Sequence, residues 1–173
     1  MNYKNESINP RSALAVRSNI GHSKVHLDEC HAVFSVDLID LMETNNLDKS
    51  EVVAWRHFGL SEDGTMGVYE TNSREDDGEH QYAGFHYGGV LDEHLVVLKT
   101  LQEHPELIGS EHALLRINML KLHAIWFKTE KKGSDYFYPL SPRFHGLEDR
   151  LYEEKEFLPI VIAAAKKLFG SKS

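Results

Sequence analysis

The segment EVVAWRHFGLSEDGTMGVYET, residues 51–71, gives the clearest structural signal in the chain. Its first part is rich in β-branched and aromatic residues, which favour β-strands. Its last part, MGVYET, also contains β-branched and aromatic residues. Between them, SEDGT carries Asp63-Gly64, a pair that is typical of a tight turn between two strands. The stretch therefore predicts a β-hairpin, in which Trp55, His57 and Tyr69 pack across the strands.

A second hairpin is predicted between residues 114 and 140. The apolar stretch LLRINMLKLHAIWFKT, residues 114–129, is followed by the turn EKKGSD and by a second strand, YFYPL. Apolar residues occupy odd positions as far as Met119 and even positions from Leu120 onward. One extra residue in a β-bulge shifts the buried face in this way, and a change from helix to strand has the same effect. We favour the bulge and expect one long strand here.

Helical periodicity marks two later segments. In residues 90–104 leucines recur at helical spacing, and Pro105 ends the pattern. Residues 147–169 carry a similar apolar stripe, but Pro159 predicts a break in the helix near Phe157.

The segments before the first hairpin complete the expected fold. Residues 31–47 start extended and then predict a short helix capped by Ser35, while residues 12–18 suit a short strand or a docked arm. Together these elements predict an α+β fold, an antiparallel sheet built mainly from two hairpins and packed against two or three helices. Residues 13–173 are expected to form a single domain, after a mobile polar lead-in at residues 1–12.

Composition argues against several classes of protein. The net charge of −8 disfavours binding to nucleic acid, because the phosphate backbone repels an acidic chain. A single cysteine rules out a scaffold of internal disulfides. The polar N-terminus does not resemble a signal peptide, and no apolar run is long enough for a membrane span, so we expect a cytoplasmic protein that does not bind membranes.

The most concentrated metal-ligand chemistry lies in GHSKVHLDECH, residues 21–31 of a chain with eleven histidines. Imidazole, thiolate and carboxylate are all ligands of zinc. In a helix, His22, His26 and Glu29 share one face. In a strand, the residues on one face are His22, His26, Asp28 and Cys30. His31 is the remaining candidate metal ligand, and zinc is the possible ion. The alternative is a group of exposed or capping polar residues before the first core strand, with Cys30 as a buried, inert thiol.

A second candidate site is the aromatic, glycine-rich stretch QYAGFHYGG, residues 81–89. Its glycines leave the backbone free to present ring-bearing side chains to a ligand or partner. The candidate contact residues are Tyr82, Phe85, His86 and Tyr87. The same pattern also fits a bulged strand that packs on the core.

No motif of nucleophilic, glycosidic or dinucleotide-dependent catalysis occurs in the chain. The leading hypothesis is therefore a non-catalytic interaction or assembly protein that binds a protein partner or associates with itself as a homo-oligomer. The alternative is a small metal-binding protein or metal-dependent enzyme that uses His22, His26 and His31. A third hypothesis is a protein whose assembly responds to acid through its histidines. No cofactor is predicted apart from the possible zinc ion.

Overall fold

A computed structural model of the chain describes residues 10–20, 27–73, 80–143 and 146–170, with the side chains of residues 28, 29, 73 and 90 excepted. In this part of the chain, four α-helices lie on a sheet of eight strands. The helices are α1 (Pro10–Ile20), α2 (Leu38–Thr44), α3 (Val90–Leu101) and α4 (Glu154–Gly170). The strands are β1 (Leu27–Ser35), β2 (Glu51–Leu60), β3 (Met66–Ser73), β4 (His80–His86), β5 (Glu111–Ile117), β6 (Leu122–Lys128), β7 (Tyr136–Pro139) and β8 (Tyr152–Glu153).

The sheet is mixed, with the order β4-β3-β2-β1-β5-β6-β7-β8. Each half consists of four antiparallel strands in sequence order, and the halves meet where β1 runs parallel to β5. At this junction Val33 lies opposite Leu114. The predicted α+β class is confirmed. An antiparallel sheet built mainly from two hairpins describes it only in part, because the central pair is parallel and more strands take part.

The hairpin predicted at residues 51–71 is confirmed. Strands β2 and β3 pair in antiparallel register, with His57 opposite Tyr69. In the turn, the carboxylate of Asp63 accepts a hydrogen bond of 3.0 Å from the backbone N–H of Thr65. Gly64 has a φ of 82°, a left-handed conformation that glycine adopts without steric strain.

The single long strand expected across residues 114–129 is wrong. Strands β5 and β6 form a hairpin of their own, with Ile117 opposite Leu122. Between them Asn118–Leu120 form a short 3-10 turn, and Lys121 takes a left-handed φ of 51°. This turn, rather than a bulge, shifts the buried positions near Leu120. Strand β6 then pairs with β7, as expected for the segment YFYPL.

The N-terminal segment is helical where a strand or docked arm was expected. Helix α1 begins at Pro10, which suits a first helical position because its missing N–H has no partner there. Ser12, Ala13 and Val16 are buried against the sheet. The last residues of the lead-in expected at residues 1–12 therefore belong to α1, and residues 1–9 lie outside the described residues.

Two predicted helix boundaries also differ from those observed. Asp37 rather than Ser35 caps α2, and its carboxylate accepts a 2.7 Å hydrogen bond from the backbone N–H of Ile39. Helix α4 begins only at Glu154 and continues through Pro159 without the expected break. The helix survives the lost backbone hydrogen bond because the residues around the proline are buried in the core.

The helices divide between the two faces of the sheet. Helices α1, α2 and α4 cover one face, which we call the α4 face, where buried Phe137 and Phe157 stack with ring centroids 4.4 Å apart. Helix α3, confirmed where residues 90–104 predicted it, covers the opposite α3 face and packs on Phe58, Val68 and Leu114. Side chains that alternate along a strand therefore enter two separate cores.

Candidate functional site

Strand β4 is an edge strand whose bulge places two predicted contact residues on one face. Glu70 pairs with Gly84 and the next residue, Thr71, pairs with Tyr82, so that Ala83 is the extra residue. Without the bulge, Tyr82 and Phe85 would point to opposite faces. With it, both lie on the α4 face beside α1.

A close approach of ring and backbone fixes the position of Phe85. A Cβ atom on Gly67 would lie 2.2 Å from Cζ of Phe85, so the ring occupies space that only glycine leaves free. The ring centroid of Phe85 is 4.6 Å from that of Tyr69 and 5.9 Å from that of Tyr87. The three aromatic rings therefore stand in one continuous row.

These rings line an open cleft of about 680 Å³, which we call the aromatic cleft. Its lining residues are Ile20, Ser61, Glu62, Asp63, Thr65, Tyr69, Tyr82, Phe85 and Tyr87. Tyr87 is 70% exposed, whereas Tyr69 is buried at the base. One rim is acidic, because hydrogen bonds from Ser61 and Thr65 lower the pKa of Asp63 to about 2 and keep it ionised.

His86, the fourth predicted contact residue, does not line this cleft. It lies opposite Val68, and therefore projects toward the other face of the sheet from Phe85. Its side chain is exposed. The structure thus brings Tyr82, Phe85 and Tyr87 together and separates His86 from them.

A buried hydrogen-bond network attaches α1 to the sheet next to the cleft. Ser12 Oγ lies 2.6 Å from His57 Nε2 and 2.6 Å from Thr71 Oγ1. Burial, with smaller contributions from His80 and Arg17, lowers the pKa of His57 to about 4 and keeps the ring neutral at pH 7. Because α1 ends at Ile20, the network also positions one wall of the aromatic cleft.

The candidate metal ligands at residues 21–31 are described only in part. His22, His26 and the side chain of Glu29 lie outside the described residues. Cys30 projects toward the α4 face, where its Sγ atom lies 3.9 Å from a ring nitrogen of His57. His31 projects toward the α3 face, so these two side chains cannot bind one ion while β1 keeps this geometry.

On the α3 face His31 belongs to a cluster that sequence reasoning missed. We call it the histidine cluster: His31 on β1, His94 on α3 and His112 on β5. The ring centroid of His31 is 5.1 Å from that of His94 and 5.4 Å from that of His112. The ring of Phe58 covers it at 5.1 Å. The helical spacing predicts a buried His94, but only the pairing of β1 with β5 brings the three rings together.

The histidine cluster is neutral at pH 7. Burial, followed by the charges of the neighbouring rings and of Arg56, lowers the pKa of His31 and His94 well below the usual value. Burial lowers the pKa of His112 to about 4. No ring nitrogen of His31 or His94 has a hydrogen-bond partner among the described residues, which is costly for buried polar atoms.

The histidine cluster does not have the arrangement of a metal centre. Within the described ranges, no three His, Cys, Asp or Glu side chains stand so that they could hold a metal ion. Ligating histidines usually also donate their second nitrogen to a carboxylate or carbonyl, and such partners of His31 and His94 are absent from the described residues. The nearby positive charge of Arg56 further disfavours a cation.

Comparisons with known proteins add no functional information. The chain matches no protein-family model, no characterised protein and no solved structure. None of the helices in the described part of the chain is long and apolar enough to cross a membrane. Function is therefore inferred from the geometry of the aromatic cleft and of the buried polar groups.

Proposed function

We propose that this protein is a non-catalytic interaction protein that binds a segment of a partner protein in the aromatic cleft. The observation that carries the proposal is the row of adjacent rings in an open cleft of about 680 Å³, with Tyr69 buried at its base and Phe85 and Tyr87 beside it. Aromatic side chains dominate the binding energy of protein interfaces because they bury a large area at a small entropic cost.

The shape of the site favours an extended partner. Strand β4 is the last strand on its side of the sheet, and no described strand pairs with its outer edge. An extended peptide can hydrogen-bond to such an edge while its side chains enter neighbouring pockets. The aromatic cleft lies on the face of this same strand and would receive an aromatic or aliphatic side chain.

The charge of the rim favours a basic partner. Glu62 and Asp63 are exposed at the cleft, and the whole chain carries a net charge of −8. A lysine or arginine beside the apolar anchor would be attracted to the rim, and its cation can also lie over an aromatic ring. The proposed partner segment therefore combines an aromatic or aliphatic anchor with an adjacent lysine or arginine.

A library of random dodecapeptides displayed on phage tests this proposal. Selection against the full chain is expected to enrich sequences with an apolar anchor next to a basic residue. A selected peptide, measured by calorimetry, should bind the Tyr87→Ala variant at least about tenfold more weakly, because truncating an aromatic side chain that anchors an interface costs about 2 kcal/mol or more. Affinity for Glu62→Lys should also fall.

The matched control is Val96→Ala, which truncates another exposed apolar side chain on α3, away from the cleft. Its affinity should equal that of the parent protein. Equal affinity of the parent and Tyr87→Ala would refute the proposed site. If light scattering instead shows a dimer that Tyr87→Ala dissociates, the occupant is a second copy of this chain and a separate partner is excluded.

A further inference from the structure

Two arginines converge on one buried carboxylate on the α3 face. Nε of Arg56 donates a 2.8 Å hydrogen bond to Oε2 of Glu70. The terminal nitrogens of Arg116 donate to both oxygens of Glu70 over 3.0–3.2 Å. The side chains are 15% exposed for Arg56, 20% for Arg116 and 8% for Glu70. We call this group the arginine cluster.

The arginine cluster has an excess positive charge. Two guanidinium groups share one carboxylate, and Glu70 is the only acidic side chain among the described residues that affects the pKa of Arg56. Burial disfavours the charge on Glu70, but Arg116 and Arg56 outweigh this effect and lower its pKa. The carboxylate is therefore ionised, and one positive charge has no described counterpart in a poorly solvated setting.

Some donor groups of the arginine cluster make no hydrogen bond to the described residues. Nε of Arg116 is buried and has no hydrogen-bond partner among the described residues. The described hydrogen bonds of Arg56 engage only its Nε, which leaves the forked terminal nitrogens. His123, half-buried, lies opposite Arg116 on β6. The positive field is evident there, since burial and then Arg116 and Arg56 lower the pKa of His123.

We propose that Arg56, Arg116 and His123 form a binding site for an oxyanion, a phosphate or carboxylate group of a small molecule. A planar guanidinium binds two oxygens of such a group at once, and a charge-assisted hydrogen bond is stronger in a partly buried setting. The anion supplies the negative charge that Glu70 alone does not. The site lies on the face opposite the aromatic cleft and does not depend on the peptide partner.

Titrations of the full chain test the site with two probes, inorganic phosphate and succinate, each against potassium chloride at matched ionic strength. The readout is the NMR signal of the Arg116 Nε–H group and of the His123 ring. One or both probes should shift these signals saturably, and potassium chloride should not. Saturation by phosphate alone assigns a phosphate ligand, and saturation by succinate alone assigns a carboxylate.

Two variants and one control complete the test. Arg56→Lys keeps the positive charge but removes the planar guanidinium group that can bind two oxygens at once, and it should weaken binding about tenfold or more. His123→Gln leaves the contacts with Glu70 intact and should weaken it several-fold, which keeps the test decisive if Arg56→Lys does not fold. Arg150→Lys, a more exposed arginine, should bind like the parent. The absence of a saturable shift with either probe, or equal binding by Arg56→Lys or by His123→Gln, overturns the proposal.

Discussion

Replacement of His94 by leucine should make the protein markedly less sensitive to acid. The unfolded chain binds a proton on this histidine near pH 6.5, while the buried ring stays neutral to a much lower pH because its folded pKa is well below that value. Below pH 6.5 the unfolded state therefore binds more protons, and acid favours unfolding. The loss of stability begins near pH 6.5 and continues until the folded pKa is reached.

The magnitude at pH 5 follows from the unfolded pKa. Each pH unit below 6.5 lowers the free energy of unfolding by about 1.4 kcal/mol for every histidine that stays neutral in the folded state. The contribution of His94 at pH 5 is therefore about 2 kcal/mol. The pKa values of His31 and His112 are also lowered, so each of these residues contributes a similar loss. At pH 5 the histidine cluster therefore lowers the free energy of unfolding by about 6 kcal/mol, a large part of the 5–15 kcal/mol typical of a folded domain.

Urea denaturation at pH 7.5, 6.0 and 5.0, followed by tryptophan fluorescence, measures this effect. Between pH 7.5 and 5.0, His94→Leu should lose about 2 kcal/mol less than the parent. At pH 7.5 it should be no less stable, because leucine removes two buried nitrogens that lack described partners. His86→Gln, at an exposed position, is the control and should follow the parent. An equal loss in His94→Leu and the parent would refute the reasoning.

Substitutions at three further positions test other parts of the fold by their urea midpoints. Ser12→Ala should destabilise the protein by about 1–3 kcal/mol, because it leaves the buried Nε2 of His57 without its 2.6 Å hydrogen bond; equal midpoints would show that this hydrogen bond does not stabilise the docking of α1. Asp37→Ala should cost about 1 kcal/mol through loss of the helix cap, and Asp37→Asn, which keeps an acceptor, should cost less. Phe157→Ala should cost about 3–5 kcal/mol, since its ring is fully buried against Phe137; a cost below 1 kcal/mol would contradict the observed stacking.

The sequence predicted those strands and turns whose conformation depends on neighbouring residues. The pair Asp63-Gly64 predicts the turn of the first hairpin, because glycine readily adopts the left-handed conformation that this turn requires. The turn at residues 118–121 gives no such signal, because Lys121 adopts a left-handed conformation that its type rarely takes. The shift of apolar positions was visible in the sequence, but its cause was not.

The features that the sequence did not predict depend on pairing between strands. The pattern of rings in residues 81–89 identified three residues of the aromatic cleft, but the bulge at Ala83 decides that Tyr82 joins Phe85 and that His86 does not. His31 and His112 come together only because β1 pairs with β5. No periodicity within one segment encodes that pairing.

The parallel junction between β1 and β5 has a consequence for the order of folding. Each half of the sheet joins strands that are neighbours in the sequence, so each can assemble through short loop closures. The junction instead joins distant segments over a short register, from Val33–Leu114 to Ser35–Arg116. We therefore expect the halves to form first and to dock in a later, slower step. The histidine and arginine clusters, which draw side chains from both halves, come into existence only with that docking.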